Sequence, residues 1–317
     1  MKVVINFQEY PDVEIEKKVL RQLPDVEIVE SHTRDAKEFA QEVADADGVI
    51  SQYGPLNHEV ISAMQRCRVI VRYGIAVDTI DLKSARAHGI KVCNVPFYCL
   101  DEVSNHALAL VLALHRKILT GDQLLRKNQH TLQRLQPIPR LLELALGLVG
   151  FGHIPRVLAL KIKHMFKRIV VYDPFVRPEE LFEHGVEAIC LEDLFRISDF
   201  ISIHAPSNPR TRHLVNAHLL SLMKPTAYLI NTSRGALIDE QALIEFLRER
   251  KIAGAGLDVF ETEPLPGDSL LRTLDNVILT HHYAWYSEGA IRELKETAAQ
   301  EALRVLQGKE PLHEVKI

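Results

Sequence analysis

Short apolar runs alternate with segments of helical spacing along most of the chain. In the first hundred residues, the runs predict strands at residues 3–7, 26–29, 48–51, 69–71 and 90–95. The segments between them repeat apolar positions every three or four residues and predict helices at residues 14–23, 36–46, 59–66 and 82–88. Strands that alternate with helices in this way indicate a parallel sheet covered by helices.

The same alternation restarts after a long helical segment. Residues 101–117 are rich in alanine and leucine and predict one long helix, and the polar residues 119–140 predict a connector. Further strands are predicted at residues 146–150, 169–173, 186–189, 200–204, 227–231, 254–259 and 277–280, followed by an amphipathic helix over residues 287–307. A chain of 317 residues is long for a single core, so two α/β domains with parallel sheets are predicted.

Residues 146–173 combine a strand, a glycine turn, a helix and a second strand. The first strand ends at Gly150-Phe151-Gly152, and the second ends at Asp173. Glycines at such a turn let the amides of a helix N-terminus approach a pyrophosphate, while the acid can accept hydrogen bonds from a ribose diol. The segment therefore predicts dinucleotide binding.

Two residues qualify this motif. Pro155 stands where the third glycine of the usual pattern would be. In the first turn of a helix its missing N–H has little effect, but its ring is expected to hold the helix slightly away from the sheet. Asp173 favours NAD over NADP because it would repel a 2′-phosphate, and the nearby Arg177 opposes that preference.

Composition narrows the functional class. Hydrophobic residues make up 47% of the chain, charged residues make up 25%, and the net charge is −4, which gives no indication of nucleic-acid or membrane binding. We expect no signal peptide and no membrane span, because a strand-like segment follows Lys2 directly and no apolar run is long enough. The four cysteines form no CxxC pair, so reduced thiols and a cytoplasmic protein are expected.

Three loops that follow predicted strands carry polar residues. They span residues 231–235, 258–264 and 280–285. Ligands bind at the carboxyl ends of strands in open α/β sheets, so these loops are candidates for a common site. Arg234 can bind a substrate carboxylate and polarise a carbonyl, a histidine can donate a proton to the carbonyl oxygen, and Glu263 can orient the imidazole. Such groups suit hydride transfer to a 2-keto acid.

The chain resembles the D-isomer-specific 2-hydroxyacid dehydrogenases, the family of phosphoglycerate, formate and D-lactate dehydrogenases. The resemblance runs through VIVRYGIAVDTIDL, KVCNVP, LGLVGFG, VVYDP, HAPSNPRTRHLVN, LMKPTAYLINTSRGALID, GAGLDVFETEPLP and the closing His-x-x-Trp loop. The segment HHYAWYSE is most similar to the C-terminal-binding-protein branch, which contains corepressors and bacterial relatives. The chain departs from the family at Pro155 and at His281, where a proline usually precedes the catalytic histidine.

The resemblance implies a catalytic arginine at Arg234, a catalytic acid at Glu263 and the acid–base histidine at His282. Glu261 is the nearest rival for the acid, but the position directly before Pro264 favours Glu263. The implied activity is that of an NAD-dependent oxidoreductase, a D-2-hydroxyacid dehydrogenase. The chain would transfer a hydride between NAD(H) and a small D-2-hydroxy acid or its 2-keto partner.

A set of cofactor-binding residues follows from the same resemblance. Asp173 matches the ribose-binding acid, Asp258 matches the residue that holds the nicotinamide carboxamide, and His204 is expected to shape the backbone beside the cofactor. The full expected set is Gly150, Phe151, Gly152, His153, Ile154, Asp173, His204, Ala205, Pro206, Thr211, Asn231, Thr232, Ser233, Asp258 and His282.

A second set is expected to bind the substrate. Its members are Arg72, Tyr73, Gly74, Ile75, Arg234 and Trp285. The first four match the turn whose backbone amides bind the substrate carboxylate in the family. Trp285 matches an aromatic residue on the substrate side in the C-terminal-binding-protein branch, although a core or dimer contact is its alternative role. The flat apolar face of its indole predicts an uncharged, moderately apolar 2-keto acid as the preferred substrate.

The resemblance also implies a domain plan. Residues 1–98 and 285–317 would form a discontinuous substrate domain, residues 99–284 would form a Rossmann domain for NAD, and the cofactor domain would build a homodimer.

No metal site is expected, because His281 and His282 are neighbours in an extended segment, where side chains alternate in direction, and no third ligand is apparent.

Two functions remain in competition. One is the NAD-dependent dehydrogenase. The other is a dimeric, corepressor-like binding protein that senses NAD(H) and has little catalytic activity. The short segments outside the first strand and the last helix offer no regulatory arm, and Arg234, Glu263 and His282 are all present. Both observations favour the enzyme.

Overall fold

The chain folds into two compact units in a computed structural model, which describes residues 1–316. The first unit comprises Met1–Tyr98 and the chain from Ser287 onward, and the second comprises Cys99–Tyr286. The second crossing lies two residues after the predicted boundary, so that Trp285 belongs to the second unit. Its indole N–H donates a hydrogen bond to the His282 carbonyl at 2.9 Å, which ties it to the loop that precedes the crossing.

The first unit contains a five-stranded sheet in the order β2-β1-β3-β4-β5, with every neighbouring pair parallel. This is the flavodoxin-like order. Its elements are β1 (Lys2–Asn6), α1 (Glu14–Leu20), β2 (Glu27–Ser31), α2 (Ala36–Val43), β3 (Gly48–Ser51), α3 (His58–Ala63), β4 (Val69–Arg72), α4 (Leu82–Ala87), β5 (Lys91–Cys93) and α12 (Glu288–Leu306). The last helix is capped by Ser287, whose hydroxyl accepts the Ala290 N–H at 2.9 Å.

The second unit contains a seven-stranded parallel sheet in the order β12-β11-β10-β9-β6-β7-β8. From its β8 edge to β11 it follows the strand order of dinucleotide-binding Rossmann folds. Its elements are α5 (Leu100–His115), α6 (Ile118–Arg126), β6 (Ala145–Val149), α7 (His153–Ile162), β7 (Arg168–Tyr172), α8 (Pro178–Glu183), β8 (Glu187–Ala188), α9 (Leu191–Ile197), β9 (Phe200–Ile203), α10 (Ala217–Leu222), β10 (Tyr228–Asn231), α11 (Glu240–Arg248), β11 (Gly254–Leu257) and β12 (Val277–Leu279).

The central strand β6 shows why apolar runs predict these sheets well. All five of its residues are buried. Leu146 and Leu148 pack into the cluster formed with α5 and α7, whereas Val149 packs into the cluster on the opposite face. Because helices cover both faces of the sheet, successive side chains are apolar, and the predicted two-domain α/β fold with parallel sheets is confirmed.

The predicted connector after the long helix is partly wrong. Residues Ile118–Arg126 form α6, and Leu124 is its one buried residue. The apolar Ile118, Leu119 and Leu125 are 55%, 46% and 62% exposed. The stretch resembles a connector because polar residues and Gly121, which disfavours a helix interior, interrupt its apolar positions. Over residues 1–316, no helix is both long and apolar enough to cross a membrane.

Candidate active site

The glycine turn after β6 lies at the point where the strand order of the second unit reverses. Gly150 has φ +96°, and a Cβ atom there would lie 2.8 Å from the His204 carbonyl oxygen at the end of β9. Gly152 precedes α7, and a Cβ atom there would meet nothing within 4 Å. The turn thus leaves open space in front of the N-terminus of a ten-residue helix. This geometry fits a pyrophosphate.

Asp173 follows β7 beside this turn. Its Oδ2 atom accepts the Phe151 N–H at 2.8 Å, and its Oδ1 atom accepts the Phe175 N–H at 2.8 Å. Each carboxylate oxygen can accept a further hydrogen bond, so the acid can still bind a ribose diol. Pro155 is the third residue of α7, as the sequence predicts, and its missing N–H falls within the first turn.

His204 is held as a neutral structural group. Burial lowers the pKa of His204 to about 4, and its Nε2 atom lies 2.8 Å from the Ser202 hydroxyl. The following residues, Ala205 and Pro206, lead into a turn that Thr211 closes by donating from its hydroxyl to the Pro206 carbonyl at 2.7 Å. The ring is therefore unsuited to proton transfer near neutral pH, and its expected role of shaping the backbone beside the cofactor stays a prediction.

Arg234 follows β10 in a tightly packed loop. The Asn231 side chain donates to the Arg234 carbonyl at 2.8 Å, and the Ser233 hydroxyl donates to the Ile203 carbonyl at 2.8 Å. Gly235 lets this loop lie directly against the next one, because a Cβ atom there would lie 1.9 Å from the carbonyl carbon of Phe260. Asn231 and Thr232 are buried, whereas the Arg234 side chain is partly exposed.

His282 and Glu263 form a hydrogen-bonded pair. The His282 Nδ1 atom lies 2.6 Å from Glu263 Oε2, and the two side chains are 36% and 35% exposed. The other carboxylate oxygen of Glu263 accepts the Phe260 N–H at 3.0 Å. The pair leaves Nε2 as the ring atom that can exchange a proton with a ligand, which is the arrangement of a general acid–base histidine oriented by a carboxylate.

The charge of Glu263 is supported by its neighbours. Burial alone would raise the pKa of Glu263, but the hydrogen bond and charge of His282, the Phe260 amide and the Arg234 guanidinium together hold it below its usual value. The rival acid, Glu261, instead pairs with the His213 ring, and Arg212 lies 3.6 Å from the same oxygen. Of the two acids, Glu263 is the one that contacts His282.

The backbone of His282 adopts a left-handed conformation, with φ +58°. Such a conformation is uncommon for a residue with a side chain and needs support from its surroundings. The His282 N–H donates to the Asp258 carbonyl at 2.7 Å, and the His282 carbonyl accepts the Trp285 indole N–H. The direction of the imidazole is thus set by two residues besides Glu263.

Asp258 organises the same loop through its fully buried carboxylate. Oδ1 accepts the Thr280 hydroxyl at 2.6 Å and the Tyr283 N–H at 3.2 Å, and Oδ2 accepts the Ala284 N–H at 3.0 Å. Because the Thr280 hydroxyl donates to Asp258, its oxygen accepts from His106 Nε2, 3.0 Å away. Desolvation lowers the pKa of His106, against the opposing charge of Asp258.

The sequence does not predict this network around Asp258. The resemblance assigns Asp258 to the nicotinamide carboxamide, and that role stays a prediction beside the loop contacts. Thr280 directly precedes the two histidines at the end of β12, which is the one sequence feature that could have pointed to it. His106 lies on α5, far away in sequence, and reaches the network through its hydrogen bond with Thr280.

The predicted substrate turn lies in the first unit, after β4. Tyr73 donates its N–H to the Ser51 carbonyl at 2.9 Å, and the carbonyls of Gly74 and Ile75 accept from Val95 N–H and Asn94 Nδ2 at 3.0 and 2.6 Å. Gly74 has φ +141°, and a Cβ atom there would lie 3.2 Å from the Arg72 Nη1 atom. The missing side chain thus leaves room for the guanidinium.

The two adjacent histidines contact different side chains. The His281 ring lies 4.8 Å from the Tyr283 ring, whereas His282 contacts Glu263. Within the described part of the chain, no group of three or more His, Cys, Asp and Glu side chains could hold a metal ion.

Comparisons with known proteins agree with this geometry. The family model described as "D-isomer specific 2-hydroxyacid dehydrogenase, NAD binding domain" matches residues 108–284. A glyoxylate reductase of Korarchaeum cryptofilum is 36% identical over 280 residues, which cover 87% of this chain and 84% of that enzyme.

Solved structures of related proteins have the same fold as this chain. A D-lactate dehydrogenase from Aquifex aeolicus, complexed with NAD and lactic acid, is 29% identical with a TM-score of 0.87 and 96% of each chain covered. The acyclic imino acid reductase Bsp5, in complex with NADPH and D-Arg, is 29% identical with a TM-score of 0.88 and 100% of each chain covered.

These comparisons confirm the predicted family, its two-domain fold and a nicotinamide cofactor. The assignment to the C-terminal-binding-protein branch stays a prediction. The matched family model covers the glycine turn, Asp173 and all three predicted catalytic residues, and the fit of the turn to a pyrophosphate agrees with it. The chain belongs to the D-isomer specific 2-hydroxyacid dehydrogenase family.

Proposed function

We propose that the protein is an NAD-dependent D-2-hydroxyacid dehydrogenase that interconverts a small D-2-hydroxy acid and its 2-keto acid. The observation that carries the proposal is the hydrogen bond of 2.6 Å between His282 and Glu263. A histidine paired in this way can supply a proton to a carbonyl oxygen and recover it in the reverse direction. A protein that only senses the cofactor has no need of such a pair.

In the direction of reduction, His282 donates its Nε2 proton to the carbonyl oxygen of the substrate. Glu263 accepts the Nδ1–H bond throughout, which fixes the orientation of the ring and stabilises its protonated form before transfer. When bound, the reduced nicotinamide supplies the hydride. In the direction of oxidation, His282 removes the hydroxyl proton while Glu263 balances the charge that the imidazole gains.

Two further groups bind the substrate in this proposal. Arg234 contacts the carboxylate and the carbonyl oxygen through its several N–H donors and so withdraws electrons from the carbonyl. The turn of residues 72–75 in the first unit is assigned to substrate binding through its amides and the Arg72 guanidinium. Trp285 presents an apolar ring face to the rest of the substrate, since its N–H is already bonded to His282. We expect an uncharged side chain on the preferred 2-keto acid.

The cofactor is assigned to the second unit. The amides of the turn at residues 150–154 would bind the pyrophosphate, and Asp173 would bind the adenosine ribose. Its two hydrogen bonds to the Phe151 and Phe175 amides hold the carboxylate where a 2′-phosphate would be repelled. NADH is therefore the expected cofactor. The residues at 204–206, 211, 231–233 and 258 complete the proposed site.

A homodimer through the second unit is part of the proposal. The large apolar side chains of Ile118, Leu119 and Leu125 on α6, together with Leu132 and Leu142 further along the chain, are each between 46% and 67% exposed. Exposed apolar side chains that gather into one patch mark contacts with a partner. Sedimentation of the wild type and of Leu125→Glu would test this, with a monomeric variant expected.

The deciding experiment is a steady-state assay of NADH oxidation with a panel of 2-keto acids. The panel comprises 4-methylthio-2-oxobutyrate, glyoxylate, 3-phosphohydroxypyruvate and oxaloacetate, each with NADH and with NADPH. The proposal expects turnover with at least one acid, the higher kcat/KM with NADH, and loss of that turnover in His282→Ala. An enzyme that binds NADH but reduces none of these acids would contradict it and restore the cofactor-sensing alternative.

A further inference from the structure

Three ionisable side chains lie together inside the first unit. Glu16 on α1, Tyr73 after β4 and Lys295 on α12 are 0%, 2% and 3% exposed. The Tyr73 hydroxyl donates to Glu16 Oε1 at 2.5 Å, and Lys295 Nζ lies 3.6 Å from Glu16 Oε2. We call these residues the Glu16–Tyr73–Lys295 cluster. None of them belongs to the hydride-transfer machinery of the second unit.

A buried ion pair of this kind is a poor source of stability. Removing two charges from water offsets most of their attraction, and apolar replacements of such pairs are often neutral or stabilising. Burial raises the pKa of Glu16, although Tyr73 and Lys295 both oppose that rise. The cluster is therefore better suited to holding a definite geometry than to strengthening the core.

The geometry it holds is that of the turn at residues 72–75. Hydrogen bonds with the Ser51 carbonyl, the Val95 N–H and the Asn94 side-chain amide fix the edges of this turn. The Tyr73 phenol is the side-chain anchor on its buried side, and Glu16 connects it to α1. A shift of the Tyr73 ring would move the amides of Gly74 and the adjoining Arg72 with it, because the three residues are contiguous.

Lys295 links the cluster to the last helix. Its ammonium group donates to the Asp12 carbonyl at 2.7 Å and lies 5.5 Å from the centre of the Tyr10 ring. The Tyr10 ring meets the Tyr73 ring edge-on at 5.4 Å. Helix α12 begins where the chain returns to the first unit, so the cluster joins α1, α12 and the turn around one carboxylate.

We propose that the hydrogen bond from Tyr73 to Glu16 positions the turn at residues 72–75 for the substrate carboxylate, with Lys295 as the counter-ion of Glu16. The inference rests on the proposed function of this turn. Tyr73 and Glu16 are positioning residues in this scheme, because their side chains act through the turn and do not touch the reacting atoms.

Tyr73→Phe removes the hydroxyl and keeps the ring. We expect the KM for the best 2-keto acid to rise by about ten-fold, as for the loss of one hydrogen bond to a charged group. The kcat and the Kd for NADH should stay at wild-type values. Tyr10→Phe is the matched control, because the Tyr10 hydroxyl forms no hydrogen bond with any residue in the range 1–316. Its KM should not change.

The double variant Glu16→Gln/Lys295→Met separates the hydrogen bond from the ion pair. Glutamine still offers an acceptor to the Tyr73 hydroxyl, and the buried charges disappear together, so the KM should stay close to that of the wild type. A KM raised as much as in Tyr73→Phe would overturn the role given to the hydrogen bond. Thermal unfolding of each variant shows that the folded state is being compared.

The remaining outcomes are also decisive. A wild-type KM in Tyr73→Phe, with His282→Ala still inactive, overturns this inference and leaves the proposed function intact. An equal rise in Tyr73→Phe and Tyr10→Phe overturns it as well, because general loosening of the cluster would then explain both. If the wild type reduces no 2-keto acid, the proposed function itself fails and the inference fails with it.

Discussion

Glu263 and Glu16 each accept a short hydrogen bond from a ring group, and their surroundings differ. Glu263 in the second unit meets His282 at 2.6 Å, with both side chains about one-third exposed at 35% and 36%. Glu16 in the first unit meets Tyr73 at 2.5 Å and is fully buried. A group that exchanges protons with a ligand needs access, whereas a group that fixes a backbone turn gains from exclusion of water.

The pKa shifts of the two carboxylates run in opposite directions. Burial raises the pKa of Glu16, while His282, Phe260 and Arg234 outweigh burial and lower the pKa of Glu263. The Glu263 contribution to stability is therefore present above its unfolded-state pKa and is lost as the pH falls through its folded-state pKa. Glu16 has a raised pKa, so its contribution to stability is fully present below its unfolded-state pKa. That contribution is lost as the pH rises through its folded-state pKa.

The largest effect is expected from removal of the His282 ring, the accessible member of the two pairs. We expect His282→Ala to lower the kcat for keto-acid reduction by roughly two to four powers of ten, as for loss of a positioned proton donor. The Kd for NADH, measured through the fluorescence of the single tryptophan, should change little. His281→Ala is the matched control and should retain most of the activity, because His281 contacts Tyr283 and not Glu263.

Equal loss of kcat in His281→Ala and His282→Ala, at saturating NADH, would contradict the assignment of the acid–base role. Near-normal activity in His282→Ala would contradict the proposed mechanism as a whole.

The next largest effect on kcat is expected at Glu263, the hydrogen-bond partner of the His282 ring. Glu263→Gln should lower kcat by about ten- to hundred-fold, as for the loss of a charged hydrogen-bond partner. The pH at which reduction falls to half its maximum should also move to lower values, because the protonated imidazole loses a neighbouring negative charge. Glu261→Gln should leave the kcat and this pH unchanged, since Glu261 pairs with His213. An equal effect of both substitutions would contradict the choice of acid.

A smaller effect on kcat is expected from the hydrogen bonds of Thr280, which support the loop that carries His282. Thr280→Val removes the hydroxyl that links His106 to Asp258, and we expect kcat to fall by about ten-fold with an unchanged KM. Thr280→Ser keeps the hydroxyl and should restore kcat. If both variants lose the same activity, the methyl group and its packing are responsible, and the hydrogen-bonded chain is not.

Local patterns predicted most of the fold. The strands are buried on both faces, so their apolar runs stand out, and the glycine turn after β6 is visible because its conformation requires glycine. Helix α6 was missed because Gly121 and polar residues interrupt its apolar positions, as they would in a connector.

The sequence predicted the residues of the candidate site better than the contacts that hold these residues in place. The resemblance placed Glu263 and His282, and the structure brings them into contact. The left-handed backbone of His282 and its bonds to Asp258 and Trp285 follow no residue pattern. Contacts such as the one between Tyr73 and Glu16 join residues distant in sequence, and only the packing of separate elements brings them together.

Trp285 gives the smallest and most specific test, because one side chain carries two proposed roles. Its N–H supports the His282 carbonyl, and its ring face is proposed to contact the substrate. Trp285→Phe keeps an aromatic face and removes the N–H, so kcat should fall by about five-fold while the preference for 4-methylthio-2-oxobutyrate over oxaloacetate stays. Trp285→Ala removes both, so that this preference should also be lost. If Trp285→Ala preserves the selectivity, support of His282 is the role that remains for the indole. A higher wild-type kcat/KM for 3-phosphohydroxypyruvate or oxaloacetate than for the uncharged acids would contradict the proposed substrate class.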